Sequence, residues 1–176
     1  KAVNIPIICD ADTGFQNIAE TVRKYVEVGF SGLHIEDQVF PKRCGHLAGK
    51  EVVPREEMTA KIKEACKARD RHDPDFVIIA RTDAADGLGL DAAVKRAQAF
   101  RKAGADVIFV ELKSGPSILD DLKRVTSSVD APCLVNVDAG GRLGELTAAG
   151  IEQLGLRIAI YPGLARSAAG YAIRDA

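Results

Sequence analysis

Phe76-Val-Ile-Ile-Ala-Arg-Thr-Asp83 is an apolar run halted by a guanidinium. Unbroken apolarity, rather than alternation, belongs to a strand covered on both faces, as in a parallel sheet. The run proper is Phe76–Ala80, and its pattern recurs at Ile5–Cys9, Gly32–Ile35, Asp106–Val110, Cys133–Val137 and Ile158–Tyr161. Between these runs lie amphipathic stretches that predict helices over about Ala19–Glu27, Arg55–Arg69, Asp91–Ala103, Ser117–Ser127, Glu145–Leu154 and Ala165–Arg174. Gly29, Gly104 and Gly155 stand where helix C-terminal caps are expected.

Strict βα alternation leaves two architectures, a doubly wound sheet or a (β/α)8 barrel. No GxGxxG or GxxxxGK[ST] follows any strand, which counts against a nucleotide-binding sheet. The polar residues favour the barrel. The first run stops at Asp10 and Asp12, the second at Glu36, the third at Arg81 and the fourth at Glu111, while Asn136 lies near the end of the fifth. Barrel active sites are built from the C-terminal ends of several strands, whereas a doubly wound sheet gathers its site at one switch point. Six βα units are countable in 176 residues. A closed barrel needs eight strands and typically about 250 residues. The expectation is therefore a single, partial β/α-barrel domain over residues 1–176, with two N-terminal βα units lying before it.

Composition narrows the function. Lys and Arg number 24 against 25 Asp and Glu, for a formal net charge of -1. That balance excludes nucleic-acid binding by bulk positive charge and a polybasic membrane surface. No apolar run approaches the length of a membrane span, and the first residues show no signal-peptide pattern. The four cysteines form no CxxC pair, so a reducing, cytoplasmic setting is expected. Cys9 and Cys133 lie in apolar runs and are expected to be buried and inert, and Cys66 reads as incidental. His34 reads as a core residue and His72 as a surface one.

The strand ends carry the chemistry. Asp10 and Asp12 are two apart, so on a strand they share a face. With Glu36 from the neighbouring strand they bring three carboxylates together, which repel unless a cation joins them. Hard oxygen ligands suit Mg²⁺ or Mn²⁺; the alternative is a capping turn at Asp12 and an ion pair at Glu36. Pro41-Lys-Arg-Cys-Gly-His46 lies in a loop of about 17 residues, long enough in a compact barrel to suggest a working loop. Cys44 is flanked there by Arg43 and His46, and nearby cations make a thiol more reactive. Such a loop could close over an anionic substrate and supply a proton; otherwise it is a solvated basic turn. Arg81 could clamp a carboxylate through two parallel bonds or pair with a neighbouring acid.

Asp10-Ala-Asp-Thr-Gly14, Leu33-His-Ile-Glu-Asp-Gln38, Lys42-Arg-Cys-Gly-His46 and Ala80-Arg-Thr-Asp-Ala84 follow one another in that order. Together they resemble the isocitrate lyase/phosphoenolpyruvate mutase superfamily, in its methylisocitrate lyase-like branch. The resemblance implies a (β/α)8 barrel, a homotetramer or dimer, and a Mg²⁺ (or Mn²⁺)-dependent carbon–carbon lyase. Its substrate would be a small anionic 2-hydroxy di- or tricarboxylate such as 2-methylisocitrate. By motif position, Asp10 resembles the direct metal ligand, and Asp12 and Glu36 resemble acids holding metal-bound water. Cys44 matches the thiol that protonates the departing carbanion. Lys42, Arg43, Gly45 and His46 match the rest of the closing loop, and Arg81, Glu111 and Asn136 match substrate contacts. Gln16 and the stretch Val137-Asp138-Ala139-Gly140-Gly141 depart from the family pattern. Oxaloacetate hydrolases or decarboxylases, dimethylmalate lyases and a non-catalytic diverged barrel remain alternatives.

Overall fold

The computed structural model describes residues 3–43, 49–137 and 141–176. Six strands are joined by helices: β1 (Ile8–Asp10), α1 (Ile18–Val28), β2 (Gly32–Glu36), α2 (Arg55–His72), β3 (Val77–Thr82), α3 (Ala84–Leu88) and α4 (Leu90–Lys102), then β4 (Val107–Val110), α5 (Ile118–Ser128), β5 (Cys133–Asn136), α6 (Ala148–Gln153), β6 (Ile158–Ile160) and α7 (Leu164–Arg174). Every pairing is parallel, and the strands lie side by side in chain order. A doubly wound sheet would reverse that order at a switch point. Sequential order without reversal is the winding of a barrel, here a half-barrel of six strands.

Two apolar clusters line the two faces of this sheet. The larger joins Leu33, Ile35, Ile78, Ile108 and Val135 of the strands to helix residues such as Val22, Ile62 and Phe100. The smaller contains Ile79, Val107, Phe109 and Leu134, with Val77, Ile158 and Ile160 packed against it, and all of these are strand residues. One face therefore packs under helices, and the other is the concave interior of the half-barrel. Each strand is apolar throughout because successive side chains feed both clusters.

Local signals set the element ends. Asn17 caps α1, its Oδ1 accepting the Glu20 N–H at 3.1 Å. Gly32 lets β2 approach β3 closely: a Cβ there would stand 2.7 Å from the Val77 carbonyl oxygen. Gly155, at φ +82°, follows α6 with Thr126 crowding the place of a Cβ at 2.9 Å.

Some boundaries differ from expectation. β1 starts at Ile8 rather than Ile5, since Pro6 has no N–H for a ladder and Ile5 is exposed. β3 runs on through Arg81 and Thr82, which pair with Phe109 and Val110. Asp106 is not in β4; its carboxylate accepts the Ile78 N–H at 2.8 Å and pairs with Arg69. α6 begins at Ala148 because Thr147 caps it, with Oγ1 accepting the Gly150 N–H. The short α3 is an addition. Cys133 and Cys66 are buried, but Cys9 is only half-buried. His72 is exposed. No helix among the described residues is long and apolar enough to cross a membrane.

Candidate active site

The concave face ends in polar side chains. Alternation along each strand places Asp10, then His34 and Glu36, then Arg81, on the same face as Phe109 and Leu134. The register sets Asp10 opposite His34, Glu36 opposite Arg81, and Arg81 opposite Phe109. Glu111 follows β4 directly, and Asn136 closes β5.

Asp10 and Asp12 do come together, but not by strand alternation. β1 ends at Asp10, and Asp12 adopts a left-handed conformation at φ +48°. Asp10 Oδ1 accepts the Asp12 N–H at 2.8 Å, so a turn rather than a pleat sets the pair. The Glu36 N–H donates to the Asp12 carbonyl at 2.9 Å, which anchors that turn to β2.

Ligand atoms of Asp10, His34 and Glu36 all lie within 4.8 Å of one another. His34 thus belongs to the site rather than to the core. Its Nδ1 lies 3.8 Å from Asp10 Oδ1 and is buried with no hydrogen-bond partner among the described residues. Lys42 reaches into the same cluster. Its Nζ stands 3.5 Å from Asp10 Oδ2 and 3.4 Å from Glu36 Oε2, and it pairs closely with Asp12. Gln38 ties the start of the loop to the acids: its Nε2 donates to Glu36 Oε1 at 3.1 Å and to the Arg43 carbonyl at 3.0 Å. The Arg43 N–H donates back to Gln38 Oε1. An antiparallel bridge between Gln38 and Val52 clamps the base of this segment. Cys44, Gly45 and His46 lie outside the described residues, as does Asp138.

The electrostatics follow from burial. Glu36 is 1% exposed, and burial pushes its carboxyl up to about 7. Arg81 and Lys42 pull against that rise, while Asp83 and Asp10 add to it. Asp10 is more open: burial raises it, but the Asp12 N–H, His34 and Lys42 outweigh that and hold it below the usual carboxylate range. Burial lowers the pKa of the His34 imidazole, against the pull of Asp10. Burial also opposes the Lys42 charge, yet the surrounding acids prevail and raise it.

Arg81 is engaged by its neighbour. Its Nε and Nη2 donate to the two carboxylate oxygens of Asp83, each at 2.9 Å. Glu111 and Glu36 face the same guanidinium at 3.4 and 3.6 Å, and its Cζ lies 4.9 Å over the Phe109 ring. Asn136 Oδ1 is buried at the end of β5 and has no hydrogen-bond partner among the described residues. Three further participants escaped the sequence reading. Asp37 sits on the helix-covered face, where it accepts from Thr82 Oγ1, the Asp83 N–H and Arg96. Asp83 and Lys50 form a buried pair at 3.2 Å.

The donor set fits a hard divalent cation. The carboxylates of Asp10 and Glu36, with Asp12 gathered to them by the shared Lys42 ammonium, form an anionic pocket that a cation would stabilise.

Parallel β/α units in chain order, with titratable side chains collected at the strand C-termini, define the β/α-barrel class of proteins. Comparison with known proteins narrows this. The model of the phosphoenolpyruvate phosphomutase family matches residues 1–176, and the chain belongs to that family, within the PEP mutase/isocitrate lyase superfamily. It is 44% identical to 2,3-dimethylmalate lyase of Eubacterium barkeri over 165 residues, which cover 92% of this chain and 55% of that one. It is 43% identical to a probable 2-methylisocitrate lyase of Corynebacterium glutamicum, covering 92% of this chain and 52% of the relative. Oxaloacetate acetylhydrolase in complex with 3,3-difluorooxalacetate superposes with a TM-score of 0.88 at 36% identity, covering 97% of this chain and 58% of that one. Phosphonopyruvate hydrolase in complex with oxalate and Mg²⁺ gives a TM-score of 0.81 at 36% identity, covering 98% and 59%. The chain spans about half the length of the curated relatives it matches.

Proposed function

We propose that this chain carries the metal- and carboxylate-binding strands of a carbon–carbon lyase acting on a 2-hydroxy di- or tricarboxylate of the 2-methylisocitrate type. The observation that carries the reading is the meeting of Asp10, His34 and Glu36 ligand atoms within 4.8 Å, in register with Arg81 on the next strand. The names of the relatives support it, since they include carbon–carbon lyases at comparable identity.

Asp10, Asp12 and Glu36 would hold Mg²⁺ or Mn²⁺. Bound there, the cation supplies Lewis-acid polarisation of the substrate's 2-hydroxyl and carboxylate oxygens. Lys42, whose single ammonium is shared among the three acids, would move toward the substrate. Arg81 binds a substrate carboxylate, and Glu111 and Asn136 fix the substrate's orientation through hydrogen bonds. Transfer of the 2-hydroxyl proton to a carboxylate of the site and cleavage of the adjacent C–C bond would release a 2-oxo acid and leave the bonding pair on the dicarboxylate fragment. Cationic groups stabilise that charge. Cys44 gives its proton to the carbanion, and Arg43, Gly45 and His46 carry and shield it as the loop closes.

A second reading, hydrolysis of oxaloacetate, has the support of the 0.88 TM-score to oxaloacetate acetylhydrolase. We also propose self-association as a dimer or tetramer, consistent with the exposed Leu164, Tyr171 and Ile173 of α7. The test is a Mg²⁺-containing assay of the full-length protein with 2-methylisocitrate, 2,3-dimethylmalate and oxaloacetate. Formation of a 2-oxo acid from either hydroxy acid, abolished in Cys44→Ser, is expected. Turnover of oxaloacetate alone would favour the second reading, and turnover of none would sink both.

A further inference from the structure

Behind Arg81 lies a buried group that the chemistry above does not use. Asp83 is fully buried, and it takes the Nε–H and an Nη2–H of Arg81 on its two oxygens. Lys50 Nζ approaches the same carboxylate at 3.2 Å, also buried. The Asp83 main chain is pinned as well: Asp37 Oδ1 accepts its N–H at 2.9 Å, and the other Asp37 oxygen accepts from Thr82 and Arg96. The carboxylate therefore cannot follow Arg81 if Arg81 moves; Arg81 must follow the carboxylate.

This arrangement fixes a guanidinium in two directions. One edge is held by Asp83, and one face lies over Phe109 at 4.9 Å. Its Nη1 makes no hydrogen bond among the described residues, and the side chain keeps 11% exposure. An arginine is worth most to a carboxylate when its fork is already oriented, because less freedom is lost on binding.

We propose that Asp83, backed by Lys50, is the positioning residue that orients Arg81 so that its Nη1 is presented to a substrate carboxylate. This rests on the carboxylate-binding reading given above. Asp83 touches no substrate and acts through Arg81.

Oxalate is the probe, titrated by calorimetry into the full-length protein with saturating Mg²⁺, alongside Mg²⁺ titration and ¹⁵N NMR of the arginine Nε–H. In Asp83→Asn, oxalate should bind about 10–100-fold more weakly, as for loss of an orienting partner. Arg81 also faces Glu36 at 3.6 Å, so Mg²⁺ affinity is read alongside, and the loss of oxalate affinity should exceed any change in Mg²⁺ affinity. The Arg81 Nε–H resonance should lose its protection from exchange. Asp83→Glu keeps the charge but displaces the carboxylate by one methylene; it should also weaken oxalate, and it serves if the Asn variant does not fold. Wild-type oxalate affinity in a folded variant whose Arg81 resonance has lost protection would overturn the proposal. Failure of the wild type itself to bind oxalate would instead remove the carboxylate-binding reading, and this inference with it.

Discussion

Phe109 joins fold and site in one side chain, so its truncation tests both. It lies 1% exposed on β4, in the concave cluster with Ile79, Val107 and Leu134. Its ring meets His34 edge-on, with centroids 6.4 Å apart, and carries the Arg81 guanidinium at 4.9 Å. Replacing a fully buried Phe by Ala costs about 3–5 kcal/mol. The stacking of Arg81 falls within that figure, at about 0.5–2 kcal/mol. With a urea m-value of about 2 kcal/mol/M, Phe109→Ala should lower the unfolding midpoint by about 2 M. Phe109→Leu keeps most of the volume and should cost about 1–1.5 kcal/mol, or roughly 0.6 M. Urea denaturation followed by circular dichroism reads both variants. A midpoint loss below about 0.5 M for the Ala variant, or equal losses for Ala and Leu, would mean that the concave face is not a packed interior.

Two further outcomes follow from the buried groups. Burial raises Asp83, but Arg81 and Lys50 outweigh it and hold it below its ordinary value of 3.8. Its folded pKa is depressed, so its stabilisation is present above the ordinary value and is lost as pH falls through the folded one. Asp37, pushed up by burial, has the opposite sign, so the comparison must isolate Asp83. The urea-midpoint gap between wild type and Asp83→Asn should narrow as pH drops below 3.8, and a gap that is flat or widening would contradict the pairing. Burial pushes the Cys133 thiol up to about 11. Iodoacetamide at pH 8 should leave Cys133 unlabelled in native protein and label it in urea, as read by peptide mass spectrometry; native labelling would place it at the surface.

The architecture was legible because strand ends and chemistry coincide. Apolar runs that stop at Asp10, Glu36, Arg81 and Glu111 marked both the parallel sheet and the rim on which the site sits. His34 was misread because a histidine in an apolar run resembles a satisfied core residue. The available signal was parity, since His34 and Glu36 are two apart on one strand and share the acids' face. Asp12 was grouped with Asp10 for a reason that does not hold: a left-handed turn, not the pleat, brings them together. Arg81 was open to two readings, and the structure shows the ion pair: Asp83 takes one edge of its fork and Glu111 faces Nη2 at 3.4 Å. Asp37 and Lys50 were invisible because their partners come from β3, α4 and the start of α3, and no local pattern announces such pairs. Gln38 was equally hidden, since its worth lies in bridging Glu36 to the Arg43 carbonyl.

The gathering of acids at the strand tips stands or falls on divalent-ion binding. Calorimetric titration of the full-length protein with MnCl₂, beside Asp10→Asn and Glu36→Gln, measures it. Saturable binding by the wild type at or below the order of millimolar, weakened at least about 10-fold in each variant, is expected. No heat of binding at millimolar Mn²⁺, or variants that bind as the wild type does, would show that Asp10, His34 and Glu36 meet for some reason other than a metal.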